Sequence, residues 1–150
     1  MNARTRMIRW LALIGAFFML GMGNAAMAEV YVVVSADSAL NELELREVRS
    51  IYKGRLTQIN GQRVVPLNAA PGSHDRVEFL SSVLNVSELD YTGYWHVRRY
   101  SGQGTPPNEV KDQAEMFNQI KADPQRIGYL KVPPGAKPEV PAGLKLIPLK

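Results

Sequence analysis

Apolar positions along this chain follow two rhythms, an unbroken β-branched run and several stretches at helical spacing, and their alternation predicts an α/β domain. Val30-Tyr31-Val32-Val33-Val34 is continuous and largely β-branched, the signature of a strand covered on both faces. A polar turn follows over residues 35–38. Asn41 with Glu44 then has capping-box spacing and opens a predicted helix with Leu45, Val48, Ile51 and Tyr52 on its inner side. Gly54, after Lys53, reads as the glycine just past that helix, and Asn60-Gly61 as a turn before the next strand.

Residues 64–84 are the stretch around which the rest is arranged. Val64, Val65 and Leu67 predict a short strand, Asn68 to Gly72 a small-residue loop, and Ser73 the opening of a helix. Val77, Leu80, Ser81 and Leu84 mark the expected buried face, with Ser73 or Asp75 as N-cap and Asp75 to Glu78 at capping-box spacing. Ser87 and Asp90 bracket another helix start. Leu89, Tyr94, Trp95 and Val97 are its apolar positions and His96, Arg98 and Arg99 its polar ones. Tyr91, Tyr94, Trp95 and Tyr100 read as packing rather than as a stacking platform for bases. Residues 101–107 form a Gly/Pro loop. Asn108 is expected to cap a helix carrying Val110, Ala114, Phe117 and Ile120, which stops at Asp123-Pro124. Ile127-Gly128-Tyr129-Leu130 and Leu144-Lys145-Leu146-Ile147 complete the strands. The fold class expected is α/β, a small mixed sheet flanked by helices.

Composition changes this picture mainly at the start. Arg4, Arg6 and Arg9 precede an apolar run over residues 11–23, and Ala26-Met27-Ala28 has the small-x-small cleavage pattern, so residues 1–28 are expected to be a signal peptide. The apolar run is short and Gly-interrupted for a spanning helix, so no membrane insertion is expected after cleavage. With no cysteine there is neither a disulfide nor a lipidation site, and an exported chain of this kind fits a bacterial periplasm. The chain carries 18 Lys+Arg against 14 Asp+Glu, but the leader holds three of the arginines and no acid, leaving 15 against 14. That near-neutral balance gives no reason to expect a nucleic-acid or membrane-surface partner. Residues 29–132 are expected to form one domain, and residues 133–150 a Pro-rich segment ending in a strand.

A strand feeding a glycine turn and a helix aims free N–H groups and a positive dipole end at one point, which suits an anion. Gly72, Ser73, His74, Asp75 and Arg76 are the candidate ligand-binding residues on that ground, although a capping serine can also do no more than satisfy its own helix. Consecutive Ser73-His74-Asp75 does not make a hydrolase triad, because neighbours on a helix point about 100° apart. His74 and His96 do not make a zinc site, and neither a cofactor nor enzymatic activity is expected. Gly102-Gln103-Gly104 is a second place where backbone amides could face an anion.

The order of these motifs resembles that of the phosphate ABC-transporter substrate-binding proteins. The helix ending in Ile51-Tyr52-Lys53-Gly54 is similar to the family's element ending in Ile-Phe-x-Gly-Lys. Asn60-Gly61, the strand at residues 64–67, Gly72-Ser73 with Arg76 and Phe79, Tyr94-Trp95, Gly102-Gln103-Gly104 and Ile127-Gly128-Tyr129 follow in the same order, over residues 30–132. The resemblance implies one lobe of a type II periplasmic-binding-protein-like fold, binding phosphate or another small oxyanion. A transporter, an envelope protein or a second copy of the chain would be its macromolecular partner. The family's phosphate loop reads Arg-x-Asp-Gly-Ser-Gly-Thr. Gly72 and Ser73 keep its centre, Ala69 and Pro71 replace its charged pair, and His74 and Asp75 stand where Gly and Thr would be. Arg76 is the candidate replacement for the lost charge.

Overall fold

The β-branched run becomes β1 (Glu29–Ser35), whose Val32, Val33 and Val34 are fully buried, as a strand sandwiched between covering layers must be. A computed structural model describes residues 29–150. The predicted signal peptide, residues 1–28, lies outside the described residues. α1 (Leu45–Tyr52) buries Val48, Ile51 and Tyr52, and Gly54 behind it has φ +65°, as a glycine past a helix end should. Its cap is Glu44, reciprocated by Glu47, and not Asn41. The shift has a tertiary cause: Leu43 bridges Leu149, and Leu45 donates to the Lys150 carbonyl, which holds the chain extended until Glu44. Asn60 and Gly61, both at positive φ, turn a hairpin between β2 (Gln58–Ile59) and β3 (Gln62–Arg63).

β4 (Val65–Ala69) runs parallel to β5 (Asn108–Val110) on one side and to β6 (Arg126–Val132) on the other; β6 pairs antiparallel with β1, and β1 with β7 (Leu144–Ile147). The five-stranded order is β5-β4-β6-β1-β7, a mixed sheet flanked by helices as the sequence predicts. Two expectations change here. Asn68 and Ala69 belong to β4, not to the loop, because Leu67 to Ala69 pair with β5. Asn108 starts that edge strand rather than capping a helix; α4 (Gln113–Ala122) begins five residues later with Asp112, whose carboxylate accepts the Glu115 N–H at 2.8 Å. α4 consequently buries Met116 and Ile120 and leaves Ala114 exposed.

α2 (His74–Phe79) is capped by Ser73 and widens into a single π-helical turn over Leu80–Leu84. It buries Arg76, Phe79, Leu80, Val83 and Leu84, while Val77 and Ser81 of the expected face lie exposed. Capping by Ser73, the π turn and the inward turn of Arg76 together set that rotation. α3 (Glu88–Tyr100), capped by Ser87, buries Tyr91 and Trp95; Leu89 and Val97 point out, and Tyr94 is half-buried. Aromatic packing is the observed role of Tyr91, Tyr94 and Trp95, whereas Tyr100 is exposed.

Under the sheet, Phe79 stacks on Tyr129 at 3.9 Å between ring centroids and meets Tyr52 at 4.6 Å. Each buried hydroxyl has a partner: Tyr52 donates to the Leu67 carbonyl, Tyr91 to the Tyr52 carbonyl and Tyr129 to Asn68 Oδ1. Burial raises the pKa of all three phenols, that of Tyr91 from 10.0 to about 12. A raised folded-state value means that above pH 10 the folded chain holds protons the unfolded chain has lost, so stability falls as pH rises. For Tyr91 the loss should approach about 1 kcal/mol per pH unit between pH 10 and about 12, and the other two tyrosines act in the same direction. Urea unfolding across that window, compared with Tyr91→Phe, checks it; stability flat through the window in the unsubstituted chain contradicts it.

Candidate functional site

Parallel β4 and β5 end together, and the chain leaving β4 turns at Gly72, whose φ of +75° suits glycine. Ser73 Oγ accepts the Arg76 N–H at 3.4 Å, the Ser73 N–H donates to the Ala70 carbonyl, and the Val77 N–H donates to the Ser73 carbonyl. These bonds leave the His74 and Asp75 amides without an acceptor among the described residues. His74 Nε2 lies 2.8 Å from Lys131 Nζ, and Lys131 also approaches Glu78 at 3.3 Å, so a cation sits on the β6 side of this helix start.

Arg76 takes a different part. Its guanidinium is buried, with Nε and Nη2 on the Glu88 carboxylate at 3.0 and 2.7 Å, and Nη1 on Glu109 at 2.7 Å and the Ala69 carbonyl at 3.2 Å. It also lies 5.7 Å from the Tyr91 ring centroid. Burial works to lower its pKa, but the hydrogen bonds to Glu109 and Glu88 outweigh burial and raise it. The charge is therefore permanent and already matched by two carboxylates. Arg76 ties β4, β5, α2 and α3 together.

Between that knot and α3 lies a cavity of about 220 Å³, bounded by Asn68, Pro71, Arg76, Tyr91, Thr92, Trp95, His96, Arg99, Pro106, Pro107 and Glu109. It lies against β4 and β5 beside α3, reaching from Pro106 and Pro107 ahead of β5 to Pro71 past the carboxyl end of β4. Of the five residues singled out from sequence, Arg76 lines it. Gly72, Ser73, His74 and Asp75 sit together at the α2 start, next along the chain to Pro71 of the lining, and do not themselves line the cavity. Asn68, Thr92, Arg99 and Glu109 are new. Their signal was hidden because the sequence places Asn68 in a loop and Glu109 in a helix. The Gly102-Gln103-Gly104 loop leads into β5 instead of a helix, and Arg98 straps it down by donating to the Gln103 carbonyl at 2.8 Å. A larger groove of about 560 Å³ lies between the β2–β3 hairpin and residues 105–108. No helix among the described residues is long and apolar enough to cross a membrane, and none of their His, Asp and Glu side chains cluster in threes to hold a metal.

No family model and no curated protein matches the chain. Solved structures do. An ABC-type phosphate transport receptor from Vibrio cholerae superimposes with a TM-score of 0.60 at 18% identity, over 81% of this chain and 46% of the receptor. The chain has the fold of a phosphate-receptor lobe. A putative phosphate ABC transporter substrate-binding protein with bound phosphate from Clostridium perfringens gives 0.59 at 12% identity, over 81% and 45% of the two chains. PstS from Borrelia burgdorferi gives 0.56 at 13%, over 81% and 47%. The chain thus spans under half the length of these three proteins, and at these identities the likeness is one of fold.

Proposed function

We propose that this chain is a periplasmic solute-binding-type protein, not an enzyme, that holds phosphate or another small oxyanion weakly beyond the carboxyl ends of β4 and β5. The observation that supports this reading is the pair of free amides at His74 and Asp75, at the start of the helix past the carboxyl end of β4, the kind of place where open α/β sheets bind ligands. Gly72 lets the chain approach the anion closely, Ser73 sets the helix start, and Arg76 keeps that start in place rather than pairing with the ligand. Two or three charge-assisted hydrogen bonds at ~1.5–3 kcal/mol each, less ~4 kcal/mol or more lost on association, leave a Kd around 1 mM or weaker. The nearby Asp75 carboxylate works against a dianion, so tight capture needs a second wall, from a partner copy or an envelope protein.

Calorimetric titration with phosphate and sulfate tests the reading. Heat saturating in the millimolar range, abolished by Ser73→Glu, is the expected result; no heat, or binding indifferent to Ser73→Glu, rejects it. One observation favours a second reading, a partner-docking module of the cell envelope: Leu89, Val97 and Tyr100 lie 81, 70 and 90% exposed on one helix, beside the cavity. Sedimentation of the purified chain alone and with its transporter would separate the two.

A further inference from the structure

The floor of the 220 Å³ cavity holds a donor aimed by the core. Asn68 is 1% exposed, yet it lines the cavity. The Tyr129 hydroxyl accepts the Ala69 N–H at 2.9 Å, so its own proton goes to Asn68, at 2.6 Å. A hydroxyl that donates must meet the amide oxygen, and this fixes which end of the amide is which. Asn68 Nδ2 is left with no acceptor among the described residues and is not among the sealed, unpaired atoms of the core, while Asn68 itself lines the cavity. A buried amide with spare donors and one exit is a preorganised acceptor site.

The charges around it select among acceptors. Arg76 and Glu109 of the lining, with Glu88 paired to Arg76 behind it, sum to one negative charge, and Arg99, which has no carboxylate partner among the described residues, brings the group to zero. Such a group tolerates one added negative charge better than two. Pro71, Pro106, Pro107 and the Trp95 ring supply apolar surface, which an inorganic oxyanion cannot use and an organic body can.

We propose that this cavity takes a small organic monocarboxylate, its carboxylate between Asn68 Nδ2 and Arg99 and its apolar part against the prolines. The proposal rests on the solute-binding reading above and adds a second class of solute, held on other residues than the oxyanion at the α2 start. Calorimetry of the full chain with benzoate, acetate, phosphate and sulfate at neutral pH tests it. Benzoate is expected to bind about tenfold more tightly than sulfate or phosphate, and Arg99→Ala, at an exposed position that leaves the fold intact, should weaken it about tenfold. Asn68→Asp keeps the acceptor for Tyr129, removes the donors and should abolish binding. Benzoate binding no tighter than phosphate, or unchanged in Arg99→Ala, overturns the proposal. No benzoate heat beside Ser73-dependent phosphate binding overturns it while sparing the solute-binding reading; no heat with any of the four anions removes both.

Discussion

Replacing Arg76 with methionine is expected to lower the unfolding free energy by about 3 kcal/mol and the melting temperature by roughly 10 °C. Removing one partner of a buried ion pair costs ~3–5 kcal/mol because the other is left uncompensated. The lower end applies because Glu88 and Glu109 keep 31 and 47% of their side-chain surface in water and can rehydrate. Methionine retains much of the stem, so most of the loss is electrostatic. Glu109→Gln should cost about 1 kcal/mol or less, since Arg76 keeps both oxygens of Glu88 and the Ala69 carbonyl. The asymmetry is the diagnostic feature, and urea unfolding of the two variants measures it. An Arg76→Met chain as stable as the original would mean that the guanidinium is free for a ligand.

Gly54→Ala should destabilise by a similar amount for unrelated reasons. A Cβ at Gly54 would lie 2.6 Å from Trp95 Cη2, and the residue has φ +65°. Trp95 cannot swing away cheaply: it packs edge-on against Tyr91 and Tyr94, at 6.4 and 5.5 Å between centroids. Overpacking at ~1–3 kcal/mol adds to about 1 kcal/mol of left-handed strain, giving about 3 kcal/mol. Gly72→Ala is the control, because φ there is +75° with nothing within 4 Å of the added carbon. It should lose only the strain, about 1 kcal/mol. Equal melting points for the two variants would contradict the close approach of the indole to Gly54.

What could be read from sequence was what is local. The Val32–Val34 core of β1, the positive-φ glycine after α1, the Asn60-Gly61 turn and the Ser73 and Ser87 caps each depend on a few neighbouring residues, and each stands where its residues predict. Long-range contacts decided the rest. Asn41 loses its cap because Leu43 is held by Leu149, and Asn108 loses its helix because β4 recruits it as an edge strand. The inner faces of α2 and α3 rotated away from the apolar reading because a charged residue, Arg76, and an aromatic, Tyr91, took buried positions, while Trp95 alone of the apolar positions read on α3 is buried. The site divides the same way. Gly72 and Ser73 announce a helix start within five residues of chain. Asn68, Arg99 and Glu109 come together only through the pairing of β4 with β5 and the packing of α3, which no spacing along the chain encodes.

The most direct measurement of solute binding is a phosphate titration of the ¹⁵N-labelled chain followed by amide NMR. The backbone amides of His74 and Asp75 are expected to shift together, saturating in the millimolar range, with smaller movements at Gly72 and Ser73. Amides at residues 72–75 that stay fixed at tens of millimolar phosphate, or shifts scattered evenly over the surface, would contradict an anion site at the start of α2.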